Sequence, residues 1–326
     1  MEWEEKIKET AGRAVSRAEI LSLLDVLVGN PGLSSWNLLM VYSQNPSARY
    51  VCGRKAWEAV GRYVREDAES IALLFPKFRL ENGAVEVSFQ AVRGYGLEST
   101  EGKALRMSPG KVSFADRITE KTGAVWELVG ADRQQEGYRQ GYYDAGRNVF
   151  CLAKDCGAGQ VPKAALGLYI DYCLFREGEA DPLLRFAVSY VLFEHFRFRH
   201  TVVGALFGRL TKYSPEEKLD FLCRVRRVAV KIMGDMEGEV LGFNDVAFLN
   251  VFLVSPDKDR ICGVLERVGT GNCGEELSGE LLVLREKLVH AGEGCIRELY
   301  ERRRTQGLFS CPPVRLEELQ DSGKEW

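Results

Sequence analysis

The chain is expected to fold as an α+β protein, with an amino-terminal domain of helices and a small β-sheet followed by a mainly helical domain. Three observations predict this. Helical spacing of apolar residues dominates the first 64 positions. Strand-like content is confined to residues 70–159, and dense helical patterning returns from Pro162. The domain limits expected are 1–160, 161–310 and a loosely held tail at 311–326.

The elements follow in order. Ile7, Ala11, Ala14, Ala18, Leu21 and Leu24 recur at intervals of three and four, which predicts helix over 2–29. "GNPG" at 29–32 ends it, because Gly and Pro stop helices. "LSSWNLLMVYSQ" reads as a second helix, with Ser34 or Ser35 as its N-cap. A turn and a short extended piece, "NPSARYVCG", lead into a third, "RKAWEAVGRYV". "SIALLFPKF" has the composition of a buried strand that Pro76 stops. In "GAVEVSFQAVRGYG" the alternation puts Val85, Val87 and Phe89 on one face. Up to Gly159 an irregular segment with long loops is expected, with "GAVWELVG" and "NVFCLA" as short strands. "KAALGLYIDYCLF", "PLLRFAVSYVLFEHF", "PEEKLDFLCRVRRVAVKIMGDM", "DKDRICGVLERV" and "SGELLVLREKLVHAGEGCIRELYERRR" are then helices able to share a bundle core.

A hydrophobic content of 45%, charged content of 28% and net charge of -3 are those of an ordinary globular protein. No apolar run approaches the roughly 20 residues that span a bilayer, and the charged opening does not resemble a leader. A cytoplasmic location with no membrane partner is expected. The nine cysteines form no C-x-x-C pair, so reduced, mostly buried thiols are expected rather than a disulfide framework or zinc ribbon.

One stretch stands apart. "NPSARYVCGRKAWEAVGRYVRED", residues 45–67, interleaves Arg49, Arg54, Lys55, Arg62 and Arg65 with Tyr50, Trp57 and Tyr63. Placed on one helix, Trp57, Val60 and Val64 make a core face, and Arg54, Glu58 and Arg62 a stripe on another. Gly61 inside that helix would suit a close approach. Seven cations stand against four carboxylates between Arg49 and Arg79. Such a stretch is either a solvated amphipathic helix with a core Trp, or a groove in which Arg tracks phosphates and Tyr stacks on bases.

Residues 36–76, "WNLLMVYSQNPSARYVCGRKAWEAVGRYVREDAESIALLFP", resemble the amino-terminal domain of ArdC-type antirestriction proteins. The matching positions are Asn37, Leu38, Leu39, Gln44, Pro46, Ala48, Val51, Gly53, Trp57, Gly61, Arg62 and Pro76. The resemblance implies binding of single-stranded DNA, in a protein of plasmids or other mobile elements. With it, the candidate nucleic-acid-binding residues are Asn37, Gln44, Arg49, Tyr50, Arg54, Trp57, Arg62, Tyr63 and Arg65. Arg49, Arg54, Arg62 and Arg65 would contact phosphates, and Tyr50 and Tyr63 would stack. Trp57 supports the helix from its core side, or serves as a platform if exposed.

Many members of that family continue into a metallopeptidase-like domain whose helix carries His–Glu–x–x–His, two zinc ligands one turn apart with a general base between them. The three histidines here, His195, His200 and His290, include no pair separated by four. His195 and His200 on a helix would point about 140° apart. By the resemblance, "ALGLYIDYCLF" at 165–175 occupies the place of the zinc helix, presenting Leu168, Tyr169, Ile170, Asp171 and Tyr172, and Phe186 replaces a usual Glu. A degenerate zincin-like domain without metal, cofactor or catalytic residue is therefore expected, its former site filled by apolar and aromatic groups.

Other chemistry is weaker. "GLESTEGKA" at 96–104 departs from a phosphate loop in its spacing and in Ala104. No G-x-S-x-G elbow occurs. Arg224, Arg226 and Arg227 lie beside an apolar face, as in a solvated bundle helix or an auxiliary DNA contact. Arg302 to Arg304 suit a helix carboxy-terminus. The expected function is sequence-tolerant binding of single-stranded DNA in a mobile element, for antirestriction or protection of DNA in transfer. The alternative is a non-catalytic scaffold that binds a protein partner through the helical domain.

Overall fold

The structure is a computed structural model that describes residues 2–14, 16–59, 61–81, 84–104, 113–130, 140–199, 208–237, 258–269 and 285. It is an α+β chain of two compact units, one of Met1–Ala14, Leu21–Arg106 and Glu239–Trp326, the other of Val15–Ile20 and Met107–Gly238.

The first unit opens with α1 (Glu2–Arg13), α2 (Arg17–Gly29) and α3 (Ser35–Gln44). α2 ends at Gly29, where the Gly–Pro signal places its stop. Ser34 caps α3, its Oγ accepting from the Asn37 N–H at 3.2 Å. Ile7, Ala11, Leu27, Leu38 and Leu39 are buried, and α1 packs on α3. A short α4 (Arg54–Ala59) precedes β1 (Arg62–Val64). The expected single helix over 54–64 is thus two elements. Gly61 takes φ +75°, a left-handed turn that ends α4 and starts β1. The Arg54–Glu58–Arg62 stripe does not form. Trp57 and Val64 still meet in a small core with Cys52 and Tyr95.

β2 (Ile71–Glu81) and β3 (Ala84–Gly94) form a long antiparallel hairpin, Ile71 opposite Gly94 and Glu81 opposite Ala84. Pro76 does not stop β2. The Ala72 and Leu74 N–H groups point away from β3, toward α3. Pro76 is next in that outward series, so its missing N–H takes nothing from the ladder. A single 3-10 turn (Leu97–Ser99) leads to β4 (Thr100–Gly102), which pairs antiparallel with β1.

In the second unit, α5 (Phe114–Thr122) precedes a three-stranded sheet of β5 (Val125–Val129), β6 (Gly141–Asp144) and β7 (Val149–Ala153). The central strand β7 runs parallel to β5 and antiparallel to β6. α6 (Val161–Arg176), α7 (Pro182–His195) and α8 (Pro215–Glu237) complete it. α6 lies on β6 and β7, where the Tyr143 and Phe150 rings meet Tyr172 at 5.0 and 5.8 Å. The β segment therefore belongs with the helices that follow it, whereas the sequence placed it with the amino-terminal domain. α5 and β6 were not foreseen. The helix is amphipathic, burying Phe114 and Ile118, and closes at Gly123 with φ +64°. α9 (Lys258–Gly269) returns to the first unit. The helix expected around 278–304 (except Arg285) and the tail at 311–326 lie outside the described residues.

Candidate nucleic-acid interface

The nine candidate residues separate into two groups. The first is engaged inside the fold. Asn37 Oδ1 accepts from the Leu74 N–H at 2.7 Å and its Nδ2 donates to the Leu74 carbonyl at 3.0 Å. Gln44 repeats this on Ala72, accepting at 2.9 Å and donating at 3.0 Å. Seven residues apart on α3, the two amides share a face and pair with the outer edge of β2 as a neighbouring strand would. Trp57 is 2% exposed, and its Nε1–H donates to the Tyr95 carbonyl at 2.9 Å. Arg62 donates from Nε to Thr100 Oγ1 at 2.8 Å, and from its two terminal nitrogens to the Lys103 and Thr100 carbonyls at 2.7 and 2.8 Å. Asn37, Gln44, Trp57 and Arg62 thus tie elements of the unit together, their polar atoms engaged with backbone groups and, at Arg62 Nε, with the Thr100 hydroxyl.

The second group faces solvent around the Tyr95–Ser99 segment. The Arg49 carbonyl accepts from the Leu97 N–H at 2.8 Å, and the Arg65 N–H donates to the Ser99 carbonyl at 3.1 Å. The Arg54 guanidinium lies 5.4 Å from the Tyr95 ring centroid. All three arginines are exposed. The Arg49 side chain rests over Gly29, the last residue of α2, where the helix dipole favours a cation. Arg65 has one loose pair, 3.6 Å from Asp67, with both groups in solvent. Tyr63 is 59% exposed on β1, and Tyr50 is 37% exposed in a left-handed conformation, φ +54°, its N–H donating to the Gly29 carbonyl at 2.9 Å. Such a backbone is strained for an aromatic residue.

Sequence reasoning missed Asn30, a third amide of the same kind. It is 2% exposed, accepts from the Val51 N–H at 2.8 Å and donates to the Ala48 carbonyl at 2.8 Å. That pairing holds the 48–51 segment, and so places Arg49 and Tyr50. Thr100 and Lys103 of the loop-like "GLESTEGKA" stretch are likewise structural, both receiving Arg62.

In the second unit, α6 carries the residues that stand where the family resemblance places a zinc helix. The Tyr169 hydroxyl donates to Asp235 Oδ2 at 2.8 Å, and Lys121 sits 3.4 Å from the other Asp235 oxygen. Asp171 is paired with Arg185. Burial pushes the Tyr169 hydroxyl far up, and pushes the Cys173 thiol up to about 12. Among the described residues no three His, Cys, Asp or Glu side chains are grouped to hold a metal ion, so this donor set does not fit zinc. His195 Nε2 instead lies 2.8 Å from Glu237 Oε1, while His200 and His290 fall outside the described residues.

Arg224 and Arg227 are paired with carboxylates after α6, Arg227 from an exposed position. Arg224 grips Glu179 at 2.6 and 3.2 Å, and Arg227 lies 3.6 Å from both Glu177 and Glu179. Arg226 is buried. Six described cysteines are free thiols. Among the described residues no helix is long and apolar enough to cross a membrane.

No family model and no curated protein matches the chain. Two solved structures, both of a plasmid antirestriction protein, show a weak likeness to part of the chain. They are crystal structures of the antirestriction ArdC protein from the R388 plasmid. The metal-free form is 11% identical, with a TM-score of 0.38, covering 62% of this chain and 85% of that one. The Mn(II)-bound form is 10% identical, with a TM-score of 0.39, covering 62% and 88%.

Proposed function

We propose that the chain binds single-stranded DNA with little regard to sequence, as an antirestriction or DNA-protecting protein of a mobile element, and hydrolyses no peptide. The observation that carries the reading is that Arg49, Arg54 and Arg65, all exposed, each contact the Tyr95–Ser99 segment. Guanidinium groups there meet phosphates, and the exposed Tyr63 and Tyr50 rings offer stacking faces to unpaired bases. The sequence resemblance over 36–76 supports the antirestriction context. The misfit of the α6 donor set to zinc supports the absence of peptidase chemistry.

A salt titration of binding to a fluorescent oligonucleotide tests this. Each phosphate neutralised on a single strand contributes about -0.7 to the slope of log affinity against log salt. Replacing Arg49, Arg54 and Arg65 together by Ala should flatten the slope by about two units. No binding at low salt, or an unchanged slope, overturns the reading. Cleavage of an unfolded protein substrate in the presence of zinc or manganese would overturn the non-catalytic part.

A second reading is a scaffold for a protein partner. It is favoured by Phe175 and Leu128 of the second unit, 60% and 64% exposed. Capture of a partner that is lost in Phe175→Ser, with oligonucleotide binding absent, would establish it instead.

A further inference from the structure

Between the backbone contacts of Arg49 and Arg65 with the Leu97–Ser99 turn stands a carboxylate. Glu98, in the 3-10 turn, folds back so closely over Gly96 that its Oε1 would sit 2.1 Å from a Cβ added there. Its Oε2 accepts from the Arg49 N–H at 3.4 Å. The missing side chain at residue 96 therefore leaves room for this carboxylate, and the Arg49 backbone orients it. Glu98 is exposed and makes no ion pair with any described residue, although the backbones of Arg49 and Arg65 bond to Leu97 and Ser99 of its turn and Arg54 lies over Tyr95. A surface that only tracked phosphates would gain nothing from a negative charge here.

We propose that Glu98 gives a preference for guanine at one position of an otherwise sequence-tolerant strand; this rests on the single-stranded DNA reading above. A carboxylate offers two acceptor oxygens and no donor. Guanine alone carries two adjacent donors on its pairing edge, the ring N–H and the amino group. Thymine places a single N–H between two carbonyls that a carboxylate repels. Adenine and cytosine each place an acceptor nitrogen beside their amino group. In a duplex, guanine's donors are engaged with cytosine, so only an unpaired guanine presents both. Single strands are commonly read along this edge while the base stacks on an aromatic ring. The tyrosine next to Arg49 is exposed for that role.

The test is fluorescence anisotropy on the full chain with three labelled strands: oligo(dT), the same strand with one central guanine, and the same with hypoxanthine, which lacks the amino donor. Guanine is expected to bind about tenfold more tightly than thymine, within the range of a good bidentate contact. Hypoxanthine should fall back toward thymine. Glu98→Gln should bring guanine and thymine together, with its unfolding midpoint confirming that it folds. Equal wild-type affinities for guanine and thymine, with oligo(dT) binding still salt-dependent, overturn the inference and leave the parent reading standing. A guanine preference that persists in Glu98→Gln also overturns it. If no strand binds, both fall.

Discussion

Asn37 holds both backbone groups of Leu74, accepting from its N–H at 2.7 Å and donating to its carbonyl at 3.0 Å. With Gln44 on Ala72, it makes α3 a substitute strand along the hairpin edge. Removing Asn37 strands two part-buried backbone groups, whereas those released by removing Gln44 are exposed and can turn to water. Asn37→Ala should lower stability by about 1–3 kcal/mol in urea unfolding, and Gln44→Ala by about 0.5–1.5 kcal/mol. Where the protein stays folded, the salt slope of oligonucleotide binding should be unchanged. A flattened slope at full stability would return these residues to the interface.

The arginines should separate by experiment as they do in space. Arg62 makes three hydrogen bonds to Thr100 and Lys103, a fork that an ammonium cannot reproduce. Arg62→Lys should lower the unfolding midpoint while leaving the salt slope intact. Arg54→Ala and Arg65→Ala should do the reverse. Arg54 has a ring contact and one long bond of 3.5 Å to the Val64 carbonyl, and Arg65 one solvated pair. Paired thermal melts and anisotropy titrations would expose any exchange of these roles.

Gly61 tests whether residues 54–64 are helix-turn-strand or one helix. At φ +75°, Ala is strained and should cost about 1–2 kcal/mol of stability. In a continuous helix the same change would stabilise by about 0.5–1 kcal/mol. The sign of the shift in thermal unfolding decides between them.

The buried thiol on α6 gives an alkaline signature. Burial raises Cys173 from 9.0 to about 12. Between those values the unfolded chain releases a proton that the native chain keeps, so the native state binds more protons. Stability from this group is complete below pH 9 and is lost as pH rises toward 12. Urea unfolding at about pH 8.5 to 10.5 should show a falling stability that Cys173→Ala makes shallower, by at most about 1.4 kcal/mol per pH unit. The burial of Tyr169 adds a further loss above pH 10 that the variant retains.

Much of the helical plan could be read directly, because it depends on local periodicity and stop signals: α2 ends at its Gly–Pro signal, α3 starts at its Ser cap, and α6 to α8 follow their apolar spacing. The strands β5 and β7 were visible as short apolar runs. Legibility failed where one residue's conformation decided the outcome. Gly61 looks the same in a sequence whether it tolerates a helix or turns left-handed, and Pro76 is harmless only because its side of β2 faces α3.

For the interface, the sequence by itself determined the inventory: cations and aromatic rings crowded into residues 45–67, and no His–Glu–x–x–His motif. Only the tertiary structure decided their duties. A guanidinium or amide has the same composition whether its partner is a phosphate, a base or a distant backbone carbonyl. The choice depends on which groups long-range packing brings within hydrogen-bond reach. Thus Arg62 turns inward to Thr100 and Lys103, while Arg49, Arg54 and Arg65 remain in solvent beside the Tyr95–Ser99 segment.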